Sequence, residues 1–276
     1  SLLTGLEREE WQRAVQELQA SLTDEVIEEA VKQLPPDIYD VSGDDIVFKL
    51  KSRRNLLMGA AMKYYDELAD EVDIPGSDKH EFYHVEYLSR NEMRVTMYKT
   101  LKEGTVEKKL YQRTFYADET DEVRLYSMAG QDSFLITGSK NPIKVRVVSG
   151  LEDDRIINQS PNRIVVYDHD ETVEISGKAN KEFSARPIVN EYNKDRRDYK
   201  YPYFGPATFF GYNIDDGVFI GGGIEVKTYG FRHDPYKTRH LLQANYAFRT
   251  ASVNIQYKGI WTDLIGSYDL GLHSEL

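Results

Sequence analysis

The chain has 276 residues, 40% hydrophobic, 29% charged and 12% aromatic, which excludes disordered, low-complexity and collagen-like classes and suffices for one large domain or two small ones. A formal charge of -11, with no stretch that concentrates Lys and Arg, lacks the electrostatic footprint of a duplex nucleic-acid binder. Zero cysteines exclude a disulfide framework, thiol catalysis and Cys-ligated zinc or iron-sulfur sites.

The acidity lies at the front, where residues 1–80 hold 18 acidic and 9 basic side chains. Ser1 to Gly5 does not read as a signal peptide, and no run of about 18 apolar residues predicts a transmembrane helix. Strands that alternate leave a membrane β-barrel open.

Residues 1–75 read as a helical region. Trp11, Val15 and Leu18 share one face, and Thr23 is placed as the N-cap of a helix carrying Val26, Ile27, Ala30, Val31 and Leu34. Pro35-Pro36 ends it. Ser42-Gly43-Asp44-Asp45 resembles a capping box with Asp in place of Glu, which predicts a further helix with Ile46, Leu50, Leu57, Ala60, Ala61, Tyr64 and Leu68 at helical spacing, closed by Pro75-Gly76. Arg53 and Arg54 fit either a solvated helix face or a basic contact for a partner.

Residues 76–185 read as a β-rich domain. Phe82, Val85 and Tyr87, then Val95 and Met97, then Leu110 and Phe115 follow the period of antiparallel strands, with Lys102-Glu103-Gly104 as a turn. Between 122 and 176 the strands shorten to Glu122–Tyr126, Ser133–Thr137, Lys144–Val148, Arg155–Ile157, Arg163–Tyr167 and Thr172–Ile175. Gly130-Gln131-Asp132-Ser133-Phe134 recurs as Glu152-Asp153-Asp154-Arg155-Ile156, about 22 residues later. Short strands with Asp at their corners predict a β-solenoid with Asp132 and Asp154 at the same point of successive turns. The pattern resembles the calcium-binding nonapeptides of RTX proteins, and that resemblance would make Asp132 and Asp154 calcium ligands. Ser127, Ser149 and Glu152 stand where that motif prefers Gly, so Asp132 and Asp154 also read as plain corner-turning residues that need no metal.

Residues 186–216, with Tyr192, Tyr199, Tyr201, Pro202, Tyr203 and Pro206, read as an anchored linker, with an aromatic ligand groove as the alternative. Residues 217–276 then alternate over long spans. Val218, Ile220, Gly222, Ile224 and Val226 oppose Phe219, Gly221, Gly223, Glu225 and Lys227. Leu242, Ala244, Tyr246 and Phe248 oppose Gln243, Asn245 and Arg249. Val253, Ile255 and Tyr257 oppose Asn254, Gln256 and Lys258, and Tyr268, Leu270 and Leu272 oppose Asp269, Gly271 and His273. Four strands of about ten to twelve residues with short turns match the length and dyad repeat of a bilayer-spanning barrel. Gly221 to Gly223 lie inside a strand with no helix after them, which argues against a phosphate loop.

The run Tyr212-Asn213-Ile214-Asp215-Asp216-Gly217-Val218-Phe219-Ile220-Gly221-Gly222-Gly223, followed by Tyr229-Gly230-Phe231-Arg232 and Pro235-Tyr236, resembles the first barrel strands of BamA/TamA-like surface-antigen outer-membrane proteins. Thr114-Phe115, Glu119-Thr120, Glu122 to Tyr126 and the Asp132 repeat are similar to the periplasmic region of the subgroup in which a calcineurin-like metallophosphoesterase domain precedes the barrel. The resemblance implies a Gram-negative outer membrane, a periplasmic N-terminal region and a closed barrel of more strands than this sequence holds.

Catalytic motifs are fragmentary. Asp78-Lys79-His80 spells the D-x-H of metallophosphoesterases, but no G-D-x-x-G, G-N-H-[DE] or G-H-x-H accompanies it. Asp168-His169-Asp170 reads as a polar turn before it reads as a metal site. His80 and His84 straddle a turn and a strand. No G-x-S-x-G elbow or P-loop occurs.

The sequence therefore predicts an α+β chain with N-terminal helices, a solenoid-like β-rich middle and C-terminal antiparallel strands opening a transmembrane β-barrel. Its expected role is non-catalytic, in anchoring, membrane-protein assembly or transport, with no cofactor unless calcium binds at Asp132 and Asp154. The expected partners are outer-membrane lipid and either other subunits or the rest of its own barrel, and not nucleic acid. A polysaccharide-degrading solenoid enzyme, with a carboxylate-lined groove over 122–176, and a scaffold subunit, with an exposed apolar patch on residues 1–75, are the alternatives.

Overall fold

The computed structural model describes residues 5–101, 104–150, 152–169, 173–183, 192, 200–215, 217–231, 235–265 and 268–276, and belongs to the α+β class. The chain divides into two compact units, residues 1–192 and 193–276.

The first unit opens with helices α1 (Arg8–Ser21), α2 (Asp24–Val31) and α3 (Pro36–Asp70). Glu7 and Glu10 form a reciprocal capping box at the start of α1, with Glu10 accepting from the Glu7 backbone at 2.9 Å. As predicted, Thr23 caps α2 by accepting from the Val26 N–H at 3.3 Å. Val15 is buried, while Trp11 meets the rings of Tyr64 and Tyr65 edge-on. The expected capping box at Ser42-Gly43-Asp44-Asp45 is not a helix start, because those residues lie inside α3. Pro36 at the first helical position already starts the helix, its missing N–H being one that would be unbonded anyway. Gly43 is buried instead, and a Cβ there would stand 2.7 Å from the Tyr39 ring.

Strand β1 (Glu71–Pro75) follows α3 directly, so the helical region ends five residues earlier than its predicted boundary. It is followed by β2 (Glu81–Tyr87), β3 (Glu92–Thr100), β4 (Val106–Tyr116), β5 (Glu122–Tyr126), β6 (Ser133–Gly138), β7 (Lys144–Val148), β8 (Arg155–Asn158), β9 (Ile164–Asp168), β10 (Glu174–Gly177) and β11 (Ala179–Phe183). One sheet has the order β1-β5-β7-β9-β11 and the other β10-β8-β6-β2-β3-β4. All pairs in the first are parallel, as are β10, β8, β6 and β2 in the second. The chain thus winds, each coil giving one strand to each sheet, and the antiparallel hairpin β3-β4 is an excursion from the first coil.

Alternation decides which side chains point between the sheets. Strand β2 reads buried and half-buried by turns, and Tyr83, Val85, Tyr87, Val123, Leu125, Phe134, Ile136, Val145, Val147 and Ile156 fill one core. Register sets the repeat at 22 residues, with Glu122 beside Lys144 and Ser133 beside Arg155, then shortens to 19, with Arg155 beside Glu174.

The second unit is one antiparallel meander of β12 (Tyr203–Asn213), β13 (Gly217–Thr228), β14 (Thr238–Ala247), β15 (Ser252–Ile265) and β16 (Tyr268–Glu275). Five strands stand where four were expected, because Tyr203 to Asn213, read as linker, pairs with β13 along its whole length. No closed barrel is present among the described residues.

Candidate functional site

Two places concentrate unusual physics: the faces of the β12–β16 sheet and one corner of the winding. Directly opposed residues of antiparallel strands share a face. Register therefore joins Phe210, Ile220, Tyr246 and Val253 in one row, Thr208, Gly222, Ala244 and Ile255 in the next, and Pro206, Ile224, Leu242 and Tyr257 in a third. Gly259 lies opposite Leu272 and Trp261 opposite Leu270, so Leu270 and Leu272 join Val253, Ile255 and Tyr257 on this face as predicted. Lys258 lies opposite His273, which puts Asn254, Gln256, Lys258, Asp269 and His273 on the other.

The apolar face is the open one. Phe210 is 89% exposed, Ile220 56%, Leu242 53% and Ile255 46%. The polar face is half-buried over β13, β14 and most of β15, while Lys258 and the β16 residues Asp269, His273 and Glu275 are exposed, and it is bonded across strands: Gln243 donates to Gln256 at 2.7 Å, Asn254 to Glu275 at 2.6 Å and Arg239 to Glu225 at 2.7 Å. Gly221 and Gly223 belong here, since a Cβ on Gly221 would stand 2.3 Å from the Phe209 ring and 2.6 Å from the Ala244 carbonyl oxygen, and one on Gly223 2.2 Å from the Leu242 carbonyl oxygen.

Aromatic side chains gather toward both ends of the apolar face. Phe210, Tyr212, Tyr246 and Phe248 lie toward the Gly217 turn, with the Tyr246 and Phe248 rings perpendicular at 5.3 Å. Phe204, Trp261 and Tyr268 lie toward the other end, where His240 meets Trp261 edge-on at 5.1 Å and its Nδ1 lies 2.8 Å from the Tyr257 hydroxyl. Small and aliphatic residues, with Tyr257 among them, fill the middle.

The winding's corner brings Asp132 and Asp154 onto adjacent coils, as the repeat requires. The Asp132 N–H donates to Asp154 Oδ1 at 2.9 Å, and the Glu81 N–H donates to Asp132 Oδ1 at 2.6 Å, so Glu81 is a third member that the sequence reading missed. All three are almost completely buried. Asp154 Oδ2 accepts from Ser127 Oγ at 2.7 Å, Ser149 Oγ at 2.8 Å and the Gly150 N–H at 3.2 Å. The two serines that departed from the calcium motif are therefore the donors that satisfy Asp154. Glu81 accepts from the Ser77 N–H at 3.2 Å and from its hydroxyl. Burial pushes the carboxyls of Asp132, Asp154 and Glu81 up, that of Asp132 to about 9.

Among the described residues no three His, Asp or Glu side chains are arranged to hold a metal ion. Asp78 is exposed, and His80 Nδ1 accepts from the Gln131 N–H at 3.0 Å, so the D-x-H run serves the turn. Asp168 caps its own turn by accepting from His169 at 2.7 Å and Val173 at 3.3 Å, while Asp170 and Tyr199 lie outside the described residues.

Two further constellations escaped the sequence reading. At the opposite corner Asn141, Asn158 and Asn162 are buried, with Asn162 Oδ1 accepting from the Asn141 N–H at 3.0 Å; the 21-residue spacing of Asn141 and Asn162 was the available signal. On the first sheet Glu122 accepts from Arg124 Nε and Arg146 Nε, both at 2.6 Å. Burial pushes Glu122 up, but the Arg146 hydrogen bond and the two guanidinium charges hold its carboxyl below the ordinary range.

No helix among the described residues is long and apolar enough to cross a membrane, which says nothing of strands. No family model, curated protein or solved structure matches the chain.

Proposed function

We propose that residues 203–276 are a lipid-facing segment of an outer-membrane β-barrel, that the winding and helices lie on its periplasmic side, and that the chain serves anchoring, membrane-protein assembly or transport without catalysis. The observation that carries this reading is the exposed apolar face of the sheet, set against a polar face that over β13, β14 and most of β15 is half-buried and hydrogen-bonded. In water such a face is costly; in hydrocarbon it is the required arrangement. From Val218 to Thr228 the strand runs about 34 Å at ~3.4 Å per residue. A barrel tilt of about 40° turns this into roughly 26 Å of height, close to the ~25 Å apolar band that aromatic girdles flank in such barrels. The edge strands β12 and β16 then need partners, because an unpaired backbone group in lipid costs several kcal/mol, and five strands fall short of the ~8 of the smallest barrels. Further strands of the same barrel or of other subunits would supply them.

Spin labels at Ile255 and Gln256 in lipid vesicles test this. The expected result is oxygen accessibility at Ile255 and accessibility to a water-soluble relaxant at Gln256. Burial of both in a protein core, in a chain soluble without detergent, would replace the barrel with a soluble sandwich.

A scaffold role for the front helices is a second reading, favoured by one observation. Val41, Phe48 and Leu56 on α3 are 84%, 72% and 67% exposed, an apolar stripe at about two-turn spacing. Loss of a co-purifying partner on Phe48→Glu, with the sheet labels unchanged, would support it. The polysaccharide reading gains no such support: the corner carboxylates are buried, and Glu122 is occupied by two arginines.

A further inference from the structure

The two neighbouring arginines of α3 have different fates. Arg54 is spent on the frame: its Nη1 donates to the Leu22 carbonyl at 2.8 Å and to Asp24 at 2.7 Å, and its own carbonyl accepts from Gln19 at 2.7 Å. Lys51 pairs with Asp24 at 3.0 Å and with Glu28 at 2.7 Å. These bonds tie the corner between α1 and α2 to α3. Arg53 is exposed and has no hydrogen-bond or ion-pair partner among the described residues.

Both arginines border a groove of about 330 Å³ between the three helices. Its walls are Leu18 and Leu22 from α1 and its C-cap, Val26 and Ala30 from α2, and Leu50 and Leu57 from α3. Ile27, which also lines it, is buried, and among the described residues no acidic side chain does so. Leu50, Arg53 and Leu57 stand at i, i+3 and i+7, which sets the guanidinium on the same strip of helix as the two leucines. That strip lies about 180° round α3 from Val41 and Phe48, since nine residues make about two and a half turns. The groove is therefore not the stripe of the scaffold reading.

Volume and charge decide what fits. One turn of a helix about 10 Å across fills roughly 420 Å³, so the groove does not admit a partner helix. A flexible, unbranched chain enters where a helix does not. A lining that is apolar except for one unpaired cation calls for a ligand that is apolar except for one anion. One guanidinium balances one charge, and the flanking helix begins with Asp24-Glu25, so a doubly charged headgroup is disfavoured.

We propose that this groove binds a single-chain fatty carboxylate, with the alkyl chain along the leucines and the carboxylate on Arg53. The site lies wholly on the helices, so it stands or falls independently of the sheet's assignment to lipid.

The test uses the full chain in phosphatidylcholine discs, or in buffer if it proves soluble without detergent, at mildly alkaline pH where the acid is ionised. Dodecanoic acid carrying a photoreactive diazirine at its chain end is crosslinked, and the sites are mapped by mass spectrometry. Label is expected on residues 18–57 despite the excess of disc phospholipid, competed by dodecanoate and less well by dodecanol. Arg53→Gln is expected to reduce the preference for acid over alcohol by up to about fivefold, the ~1 kcal/mol ceiling of an exposed ion pair, and Arg53→Lys to keep most of it. Partition into the disc is common to both proteins and cancels in that ratio. Ala30→Trp is expected to plug the groove and remove the label, whereas Phe48→Glu leaves it. Arg53 and Ala30 are exposed, so these variants should melt as wild type does. Label absent from the groove, an acid preference that Arg53→Gln leaves unchanged, or label that survives Ala30→Trp would each overturn the proposal, the first by leaving the groove to phospholipid or to a side chain of a partner protein.

Discussion

Ile255→Arg beside Gln256→Arg separates a lipid-facing sheet from one in water. Ile255 lies opposite Ala244, which pairs with Gly222, four residues from Val218 and six from Thr228 on β13. At ~3.4 Å per residue and a tilt near 40°, that row lies about 10 Å from one end of a ~26 Å apolar band, close to its midplane. An arginine on the lipid side at that depth costs about 2–4 kcal/mol. The same residue at 256 joins the polar face beside Gln243 and Glu275 and is expected to change stability by less than ~1 kcal/mol. Since 1.4 kcal/mol is tenfold in an equilibrium, the two variants should differ roughly 5- to 700-fold in folding constant. Urea titrations of the chain reconstituted in vesicles, followed by tryptophan fluorescence, measure this through the midpoint at constant slope. Equal midpoints for the two variants would refute the lipid-facing assignment, because an exposed sheet in water tolerates both and a protein core tolerates neither.

Gly130→Ala is expected to destabilise the winding by more than about 1 kcal/mol, because its φ of +95° is unfavourable for a side chain and the new Cβ would stand 2.4 Å from the Lys79 carbonyl oxygen; thermal melting checks it. Phe134→Ala removes a ring stacked at 4.5 Å on Tyr83 in the core and should cost about 3–5 kcal/mol in denaturant titration. Glu122→Gln should weaken the protein at neutral pH and remove part of its acid sensitivity. With the folded carboxyl lowered, its stabilisation is present above the unfolded value near pH 4.5 and is lost as pH falls through the lower folded one, so wild type and variant should converge in acid.

The short strands of the winding were legible because their alternation is undisturbed and their corners carry Asp132 and Asp154 at one repeat. Glu81 was not, for a physical reason: the β3-β4 excursion separates it from Asp132 by 51 residues where the next step is 22, so periodicity could not join them. Strand β1 has only Val72 and Ile74 flanking Asp73 to signal alternation, and its partner β5 lies 51 residues away. Strand β12 reads as linker because Gly205, Pro206 and Gly211 punctuate it, and its strand character shows only in its pairing with β13, which no local pattern announces. The false cap at Ser42 had the right residue types, but Pro36 had already started the helix. Ser127 and Ser149 looked like defects of a metal motif, because a hydroxyl's partner across two coils is a tertiary fact.

The junction between α3 and β1 has a mechanical consequence. Asp70 ends the helix and Glu71 begins the strand, with no residue between them to act as a swivel. The Asp121 N–H donates to the Asp70 carbonyl at 2.9 Å and Thr120 Oγ1 to the Ala69 carbonyl at 2.7 Å, clamping the last turn to the start of the second coil. At about 1.5 Å per residue the helix is a shaft of roughly 52 Å. A load applied near Pro36 is therefore passed through that clamp, and through the Tyr65 hydroxyl to Glu119, into the first coil of the winding, with no free linker to take it up.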